Sequence, residues 1–266
     1  QPMPLYILFA LAIVQGATEF LPVSSSAHLA LFPWLTGAAA QPLVIDIAVH
    51  LGTLFAVLLY YRSDTGLMLR GVADLSRGRY RTSGARLIGL LTLATIPVVI
   101  AGLILHVTDM ASALRDPRVI GWAMLLFALP LYLSDRLGRS DHQVESWSLR
   151  HSIMMGLAQA FALIPGASRS GVTMTAGRWL GYGRAEAARL SMLMSIPTII
   201  ASATLLGLDA ADTDPAMLPS SGIAMLLSLV VAYLSIGFML GLLKRLSLAP
   251  FVVYRVCLGA ALLVFV

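Results

Sequence analysis

Apolar stretches of roughly the length needed to cross a lipid bilayer recur along this chain, and they constrain its fold more than any other feature. A membrane-spanning helix needs about 20 apolar residues, and six segments come close to that length. These segments are residues 42–61, 87–106, 119–135, 190–208, 221–243 and 250–266. The composition agrees, because 58% of the residues are hydrophobic and only 12% are charged, whereas about a quarter of a soluble domain is charged. We therefore predict an all-α polytopic membrane protein that forms one integral membrane domain over residues 1–266.

Two further apolar stretches are interrupted by polar groups and cannot be simple spans. Residues 5–35 are broken near Pro22 and the serines that follow it, and residues 151–181 are broken at Pro165 and again at Arg169. Non-helical backbone at membrane depth survives only where protein surrounds it or where it lines a water-filled cavity. Each broken stretch is therefore predicted to form a re-entrant helix–loop–helix hairpin.

The arginine-rich connections predict which side of the membrane each segment faces. Cytoplasmic loops carry an excess of Lys and Arg, and this describes residues 62–86, residues 134–150 and the pair Lys244 and Arg245. The connection 209–220 is placed outside, because it has three aspartates and no basic residue. These are Asp209, Asp212 and Asp214. Since the basic residues form no contiguous surface with stacking aromatics, we expect no nucleic-acid partner.

Along the chain, one hairpin followed by three spans occurs twice. Because three is odd, the second hairpin must enter from the opposite face, which makes an inverted-topology repeat with halves at 1–135 and 150–266. The broken helices of such repeats tend to meet near the middle of the bilayer. The motifs LPVSSSA and IPGASRS can be aligned so that their prolines match and Ser25 matches Ser168, which supports the repeat.

If the two hairpins meet, their polar residues form one buried site. These residues are Gln15, Glu19, Ser24, Ser25, Ser26, His28, Ser168, Arg169, Ser170 and Thr173. Ionisable groups inside a membrane are costly and are interpreted as functional, so Glu19 is expected to pair with Arg169, His28 or a metal ion. His50, in the segment VHLGTLFAV, is interpreted as structural.

This set of side chains suits phosphate chemistry. Arg169 offers a planar charged fork for phosphate oxygens, and the small residues of PGASRSG can turn backbone N–H groups toward an anion at a helix start. A serine or a histidine could attack phosphorus with an acid or base nearby, and Glu19 suits either a divalent cation or proton transfer. The residues expected to bind substrate are Gln15, Ser24, Ser26, Gly166, Ser168, Ser170 and Thr173.

The motifs QGATEFLPVSSSAH and PGASRSGVT resemble the two signatures of bacterial undecaprenyl-diphosphate phosphatases of the BacA/UppP type. Those signatures are (E/Q)xxxE with its following serine–histidine segment, and PGxSRSxxT. The RLSMLMSIP stretch, the order of elements and the chain length are similar as well. The resemblance implies a multi-pass enzyme of the bacterial inner membrane that hydrolyses undecaprenyl diphosphate to the monophosphate and inorganic phosphate. It also implies recycling of the lipid carrier for peptidoglycan synthesis, and bacitracin resistance.

The same resemblance implies roles for individual residues. It makes Glu19, Ser25, His28 and Arg169 catalytic, and it implies a divalent cation, Mg²⁺ or Ca²⁺, held in part by Glu19. Because Gln15 takes the Gln option of its motif, a site with two carboxylates is not expected. Ser25 is the first candidate nucleophile, with His28 as its acid or base, and the reverse assignment stays open.

The remaining expectations concern partners and a rival function. The cavity should open sideways to membrane lipids for the polyprenyl tail and upward to the periplasm for the diphosphate. A homodimer is left open. Since inverted repeats with broken helices are typical of transporters, a lipid-phosphate flippase or anion transporter using the same pocket is the alternative.

Overall fold

The fold was obtained as a computed structural model that describes residues 4–37, 41–108, 110, 113–209 and 217–265. Within these ranges the protein is all-helical, with eleven α-helices and no strand. The helices are α1 (Leu5–Thr18), α2 (Ser25–Thr36), α3 (Leu43–Tyr60), α4 (Arg62–Ser76), α5 (Ser83–Val107), α6 (Pro117–Leu137), α7 (Leu149–Ala160), α8 (Arg169–Trp179), α9 (Arg184–Asp209), α10 (Leu218–Leu243) and α11 (Ala249–Phe265).

Five of these helices are long and apolar enough to cross a membrane: α3, α5, α6, α9 and α10. They cover five of the six predicted spans, although α9 begins at Arg184 and so extends further than expected. The predicted sixth span corresponds to α11, an apolar helix of 17 residues that falls just short of the spanning length. The chain thus has the helices of a multi-pass membrane protein.

Each of the two interrupted stretches consists of a pair of short helices separated by a break. Helices α1 and α2 have 14 and 12 residues, and α7 and α8 have 12 and 11. None of the four reaches the roughly 20 residues that cross a bilayer. We call the break at residues 19–24 the first loop and the break at residues 161–168 the second loop.

The connection 62–86 differs from the loop that the sequence suggested, because most of it is the helix α4. This helix buries Met68 and Gly71 and exposes Leu69 and Val72. A Cβ on Gly71 would lie 2.3 Å from the Gly84 carbonyl carbon, so α4 crosses the start of α5 at backbone contact. Asp209 ends α9, whereas Asp212 and Asp214 lie outside the described residues.

The first helix of each short pair packs against a long helix from the other half of the chain. Helix α1 packs on α10, and α7 packs on α5. A Cβ on Gly16 would lie 2.8 Å from the Ser228 carbonyl oxygen of α10, and one on Gly156 would lie 2.6 Å from the Ala94 carbonyl oxygen of α5. Both crossings therefore depend on a glycine, and together they bring the two loops to the same place.

Candidate active site

The two loops end in the same backbone geometry. Ser24 and Ser168 are the two non-glycine residues with positive φ among the described residues, at 74° and 72°. Each is an N-cap, because its Oγ accepts a hydrogen bond from the backbone N–H three residues later, at Ala27 and Gly171. A serine side chain at this position satisfies one of the unpaired N–H groups of a helix start. Ser25 and Arg169 therefore occupy the same position, the first residue of α2 and of α8.

This geometry corrects the alignment suggested by the sequence, in which Ser25 matched Ser168. The structural equivalent of Ser168 is Ser24, one residue earlier. The second loop has one more residue between its proline and its cap, and it accommodates that residue at Gly166, where φ is +98°.

Hydrogen bonds join the two loops to each other. The Gly166 N–H donates to Ser24 Oγ at 3.1 Å, and the Ser170 hydroxyl donates to the Leu21 carbonyl at 2.8 Å. The start of each helix is thereby fixed by the loop that precedes the other helix, so α2 and α8 present their N-termini to a common region.

Glu19 lies at the centre of this region and is 8% exposed. Its Oε1 pairs with Arg169 Nη2 at 2.7 Å, so Arg169 is the partner among the three that the sequence allowed. Its Oε2 accepts hydrogen bonds from Ser25 Oγ at 2.7 Å and from Gln15 Nε2 at 2.8 Å. One carboxylate thus links the first residues of both helices.

A cavity of about 660 Å³ opens from this cluster. Its polar end is formed by Glu19, Ser24, Ser25, Ser26, His50, Ser168 and Arg169. Its walls are mostly apolar and come from the second halves of α5 and α9, including Val98, Val99, Leu103, Ile199, Leu205 and Leu206. A space with one charged end and long apolar walls suits a ligand that is itself amphiphilic.

His28 does not line this cavity in the way that the sequence suggested. Its Nδ1 lies 2.7 Å from the Ser24 carbonyl oxygen, to which it donates, and its Nε2 accepts from the Tyr254 hydroxyl at 2.6 Å. The two rings lie nearly parallel, with centroids 5.7 Å apart. His28 therefore holds the turn at Ser24 against α11.

The other predicted residues support the loops through their own hydrogen bonds. Ser24 and Ser26 are linked at 3.2 Å, and Ser168 and Ser170 are linked at 3.1 Å. The Thr173 hydroxyl contacts the Arg169 carbonyl and the Ser191 hydroxyl, both at 2.7 Å.

Two residues that the sequence interpretation left out also belong to this region. Arg255 of α11 is fully buried and donates to the carbonyls of Gly166, Ala167 and Pro22 at 2.8, 2.9 and 3.3 Å, so it contacts both loops. His50, interpreted as structural, lines the cavity. The available signal was the same for both, because an ionisable side chain inside an apolar span indicates function by default.

The oxygen atoms of the site suit a hard divalent cation, but they do not form a complete cage. Among the described residues there is no group of three or more His, Cys, Asp and Glu side chains that could hold a metal ion. Glu19 supplies the single carboxylate, surrounded by serine hydroxyls. Mg²⁺ is commonly held by one or two carboxylates together with substrate phosphates, and the cluster fits a cation of that kind.

Comparison with known proteins places this geometry in a family. The model of the bacitracin resistance protein BacA family matches residues 8–261. The undecaprenyl-diphosphatase of Dinoroseobacter shibae is 52% identical over 263 residues, which is 98% of both chains. The undecaprenyl-diphosphatase of Roseobacter denitrificans is 51% identical over 264 residues, which is 99% of both, and that of Jannaschia sp. is 52% identical over 98% of both. With a match of this extent, the chain belongs to the BacA family.

Proposed function

We propose that this protein hydrolyses undecaprenyl diphosphate to undecaprenyl phosphate and inorganic phosphate. The relatives are named for that activity. The observation that carries the proposal is the Glu19, Ser25 and Arg169 cluster at the polar end of an otherwise apolar cavity. The diphosphate would occupy the polar end, and the isoprenoid tail would lie between α5 and α9. This role accounts for bacitracin resistance and for recycling of the lipid carrier in peptidoglycan synthesis.

Ser25 is the nucleophile in this proposal and Glu19 is its base. The Ser25 hydroxyl already donates to Glu19 Oε2 at 2.7 Å, within the reach that proton transfer needs. As the bond from Oγ to phosphorus forms, the proton moves to Glu19 and the bridging oxygen leaves with the lipid monophosphate. Water then cleaves the phosphoserine, and Ser25 recovers its proton. His28 as nucleophile is disfavoured, because both of its ring nitrogens are engaged.

Positive charge at the site would hold the diphosphate and the charge that develops on the transferred phosphoryl group. Arg169 supplies a full charge, and the N-termini of α2 and α8 supply partial positive charges. Groups placed in advance around a transferring phosphoryl group account for most of its catalysis. Ser24, Ser26 and Ser168 line the cavity and would contact the phosphates directly.

The remaining predicted residues would act by holding this arrangement. Gln15 donates to Glu19, Gly166 donates to Ser24 Oγ, Ser170 donates to Leu21, and Thr173 contacts the Arg169 carbonyl. His28 holds the Ser24 carbonyl. We assign these five residues to positioning.

A divalent cation, Mg²⁺ or Ca²⁺, would be held by Glu19 and neighbouring hydroxyls together with the substrate. When bound, such an ion neutralises charge on phosphate oxygens. Because Glu19 Oε1 already pairs with Arg169, the carboxylate oxygen left for a cation is Oε2, which accepts hydrogen bonds from Gln15 and Ser25.

We further propose that the fold is an inverted-topology repeat with halves 1–135 and 150–266, in which both short helix pairs are re-entrant. The reciprocal packing of α1 on α10 and α7 on α5 supports it, as does the shared cap geometry of the two loops. The cavity walls lie toward the carboxyl-terminal ends of α5 and α9, away from the arginines in and before their first turns, such as Arg86 and Arg184. In a bacterial inner membrane, with these arginines on the cytoplasmic side, the opening would face the periplasm. The proposed mechanism uses residues of one chain, and the possible homodimer stays a prediction.

The test is phosphate release by purified, detergent-solubilised protein given undecaprenyl diphosphate, with and without a chelator. We expect release of one phosphate per lipid, loss of release with chelator, and recovery on adding Mg²⁺ or Ca²⁺. Binding of the lipid without release would overturn the proposal and favour the transport hypothesis, which the names of the relatives do not support. If the chelator did not change turnover, the proposed mechanism would not include a divalent cation.

A further inference from the structure

The polar end of the cavity contains a histidine for which the site has no role so far. His50 lies on α3, a helix that contributes neither loop, and it lines the polar end together with Glu19, Ser25 and Arg169. Its side chain is 32% exposed, so a ligand in the cavity can reach it. His28, by contrast, has both ring nitrogens bonded to protein groups. Of these two histidines, His50 is therefore the one that a ligand at the polar end can meet. His106 also lines the cavity, but it lies in the last turn of α5, among the residues of the cavity walls.

The backbone of α3 fixes which nitrogen of His50 is available. Nδ1 lies 2.8 Å from the Asp46 carbonyl oxygen, one turn earlier in the helix. A carbonyl oxygen only accepts, so Nδ1 carries a hydrogen, and Nε2 is the nitrogen that exchanges a proton with a ligand.

Asp46 also favours a charged His50 ring. Its Oδ1 is buried without a hydrogen-bond partner in the described part of the chain, and it lies 3.6 Å from His50 Nδ1. A carboxylate beside an imidazole stabilises the imidazolium that forms when the ring takes a proton, and it holds the ring in one orientation. An unsatisfied buried carboxylate oxygen is costly, and a positive ring beside it offsets that cost. Asp46 and His50 thus form a pair suited to carrying a proton.

We propose that His50, oriented by Asp46, is the general acid of the reaction and donates a proton from Nε2 to the leaving oxygen. This inference rests on the proposed phosphatase function. In the first step, the bond between Ser25 Oγ and phosphorus forms and the bond from phosphorus to the bridging oxygen breaks. The Ser25 proton goes to Glu19, and the bridging oxygen keeps the electron pair and takes the proton of His50.

The second step restores both residues. Water attacks the phosphoserine, its proton goes to His50 Nε2, and the bond between phosphorus and Ser25 Oγ breaks while Glu19 returns the proton to Oγ. Across both steps one water is consumed, and lipid monophosphate and inorganic phosphate are produced. Glu19 therefore exchanges a proton with Ser25, and His50 exchanges protons with the leaving lipid and the attacking water.

The experiment compares His50→Ala with the wild type in phosphate release from undecaprenyl diphosphate, with and without added imidazole. General acid catalysis contributes roughly 10²- to 10⁴-fold to a rate. We expect His50→Ala to lower kcat by about 10²-fold and to change KM little. Imidazole at millimolar concentration should then raise the kcat of this variant about tenfold. Imidazole should not raise the rate of the wild type, of Ser25→Ala or of His28→Ala. His151→Ala, a histidine of α7 that does not line the cavity, is the matched control and should keep the wild-type rate.

The outcomes separate this inference from the function on which it rests. Wild-type protein that releases no phosphate overturns both. Wild-type turnover with a His50→Ala rate within about threefold of it, or a loss that imidazole does not relieve, overturns the role of His50 alone. If His50→Ala fails to fold, His50→Gln keeps a polar side chain of similar length, and a normal kcat in that variant would equally exclude general acid catalysis.

Discussion

The first and second loops build the same helix start and place different chemistry on it. In each, a serine with φ above 70° caps a helix, and the next residue points into the shared polar end of the cavity. That next residue is Ser25 in the first loop and Arg169 in the second. The same backbone geometry thus places two helix N-termini at the cavity. In the proposed mechanism, the residue at this position is the attacking group in the first loop and the charge that holds its target in the second.

The two loops also differ in how strongly they depend on each other. Ser24 Oγ contacts Ser26, the Ala27 N–H and the Gly166 N–H, so it stabilises its own helix and the opposite loop. Ser168 Oγ contacts Ser170 and Gly171, both in its own helix. The first loop is therefore a joint between the halves of the molecule, whereas the cap of the second is local.

The largest difference between the two loops should appear when the proposed attacking group, Ser25, is removed. Ser25→Ala should lower kcat by roughly 10⁴- to 10⁶-fold, the range seen when a catalytic nucleophile is deleted, because no other hydroxyl donates to Glu19 Oε2 in the described part of the chain. Steady-state phosphate release measures it, and Ser63→Ala, an exposed serine of α4, is the control. A Ser25→Ala enzyme within tenfold of the wild type would contradict the nucleophile assignment.

Removing the charge on the second loop should affect stability as well as activity. Arg169→Met leaves the buried Glu19 carboxylate without its ion pair, and breaking one side of a buried pair costs about 3–5 kcal/mol of unfolding free energy. The double variant Glu19→Gln with Arg169→Met should regain much of that stability and remain inactive. Unfolding in detergent and phosphate release measure the two effects, and additive stability losses in the double variant would show that the pair is not coupled.

Substitution of Arg255, which contacts both loops, should show which loop it stabilises more. Arg255→Lys keeps a charge but loses the fork that reaches several carbonyls, and the second loop provides two of those carbonyls at under 3 Å against one at 3.3 Å in the first. We expect the variant to lose activity. We also expect the variant to accelerate hydrogen exchange more in a peptide covering residues 161–168 than in one covering residues 19–24. Equal changes in both peptides would argue against this unequal support.

The smallest expected effect compares the two caps. Loss of an N-cap side chain costs about 1 kcal/mol, and Ser24→Ala additionally leaves the Gly166 N–H unpaired, at about 1–3 kcal/mol. Ser24→Ala should therefore lower the unfolding temperature more than Ser168→Ala does. The reverse order would indicate that the second loop, not the first, is the joint.

Much of the fold and of the site could be predicted from the length of the apolar segments and from the polar residues that interrupt them. The spans follow from apolar length, and the breaks follow from proline and serine inside apolar sequence. Convergence of Glu19 with Arg169 follows from the cost of a lone charge in a membrane. Helix α4 differs from the predicted loop because the charges of a connection indicate topology and do not exclude a helix, and the apolar residues of α4 recur at helical spacing.

The rest depends on three-dimensional detail that no local pattern carries. The one-residue shift that pairs Ser24 with Ser168 arises from a positive φ at Gly166, which a side-by-side alignment does not show. The orientation of His28 is decided by Tyr254, more than two hundred residues away in the chain. His50 and Arg255 each carried the signal of an ionisable group in an apolar span, but only the packing of α3 and α11 shows that both reach the site.

The reciprocal packing of α1 on α10 and α7 on α5 has a consequence for biogenesis. The ribosome delivers α1 to the membrane long before it has made α10, the surface that Gly16 fits. Until then, α1 can pack only on elements of the first half, such as α2 and α3. If the proposed re-entrant arrangement holds, we expect insertion of α1 and α2 to be completed only after α10 has been made.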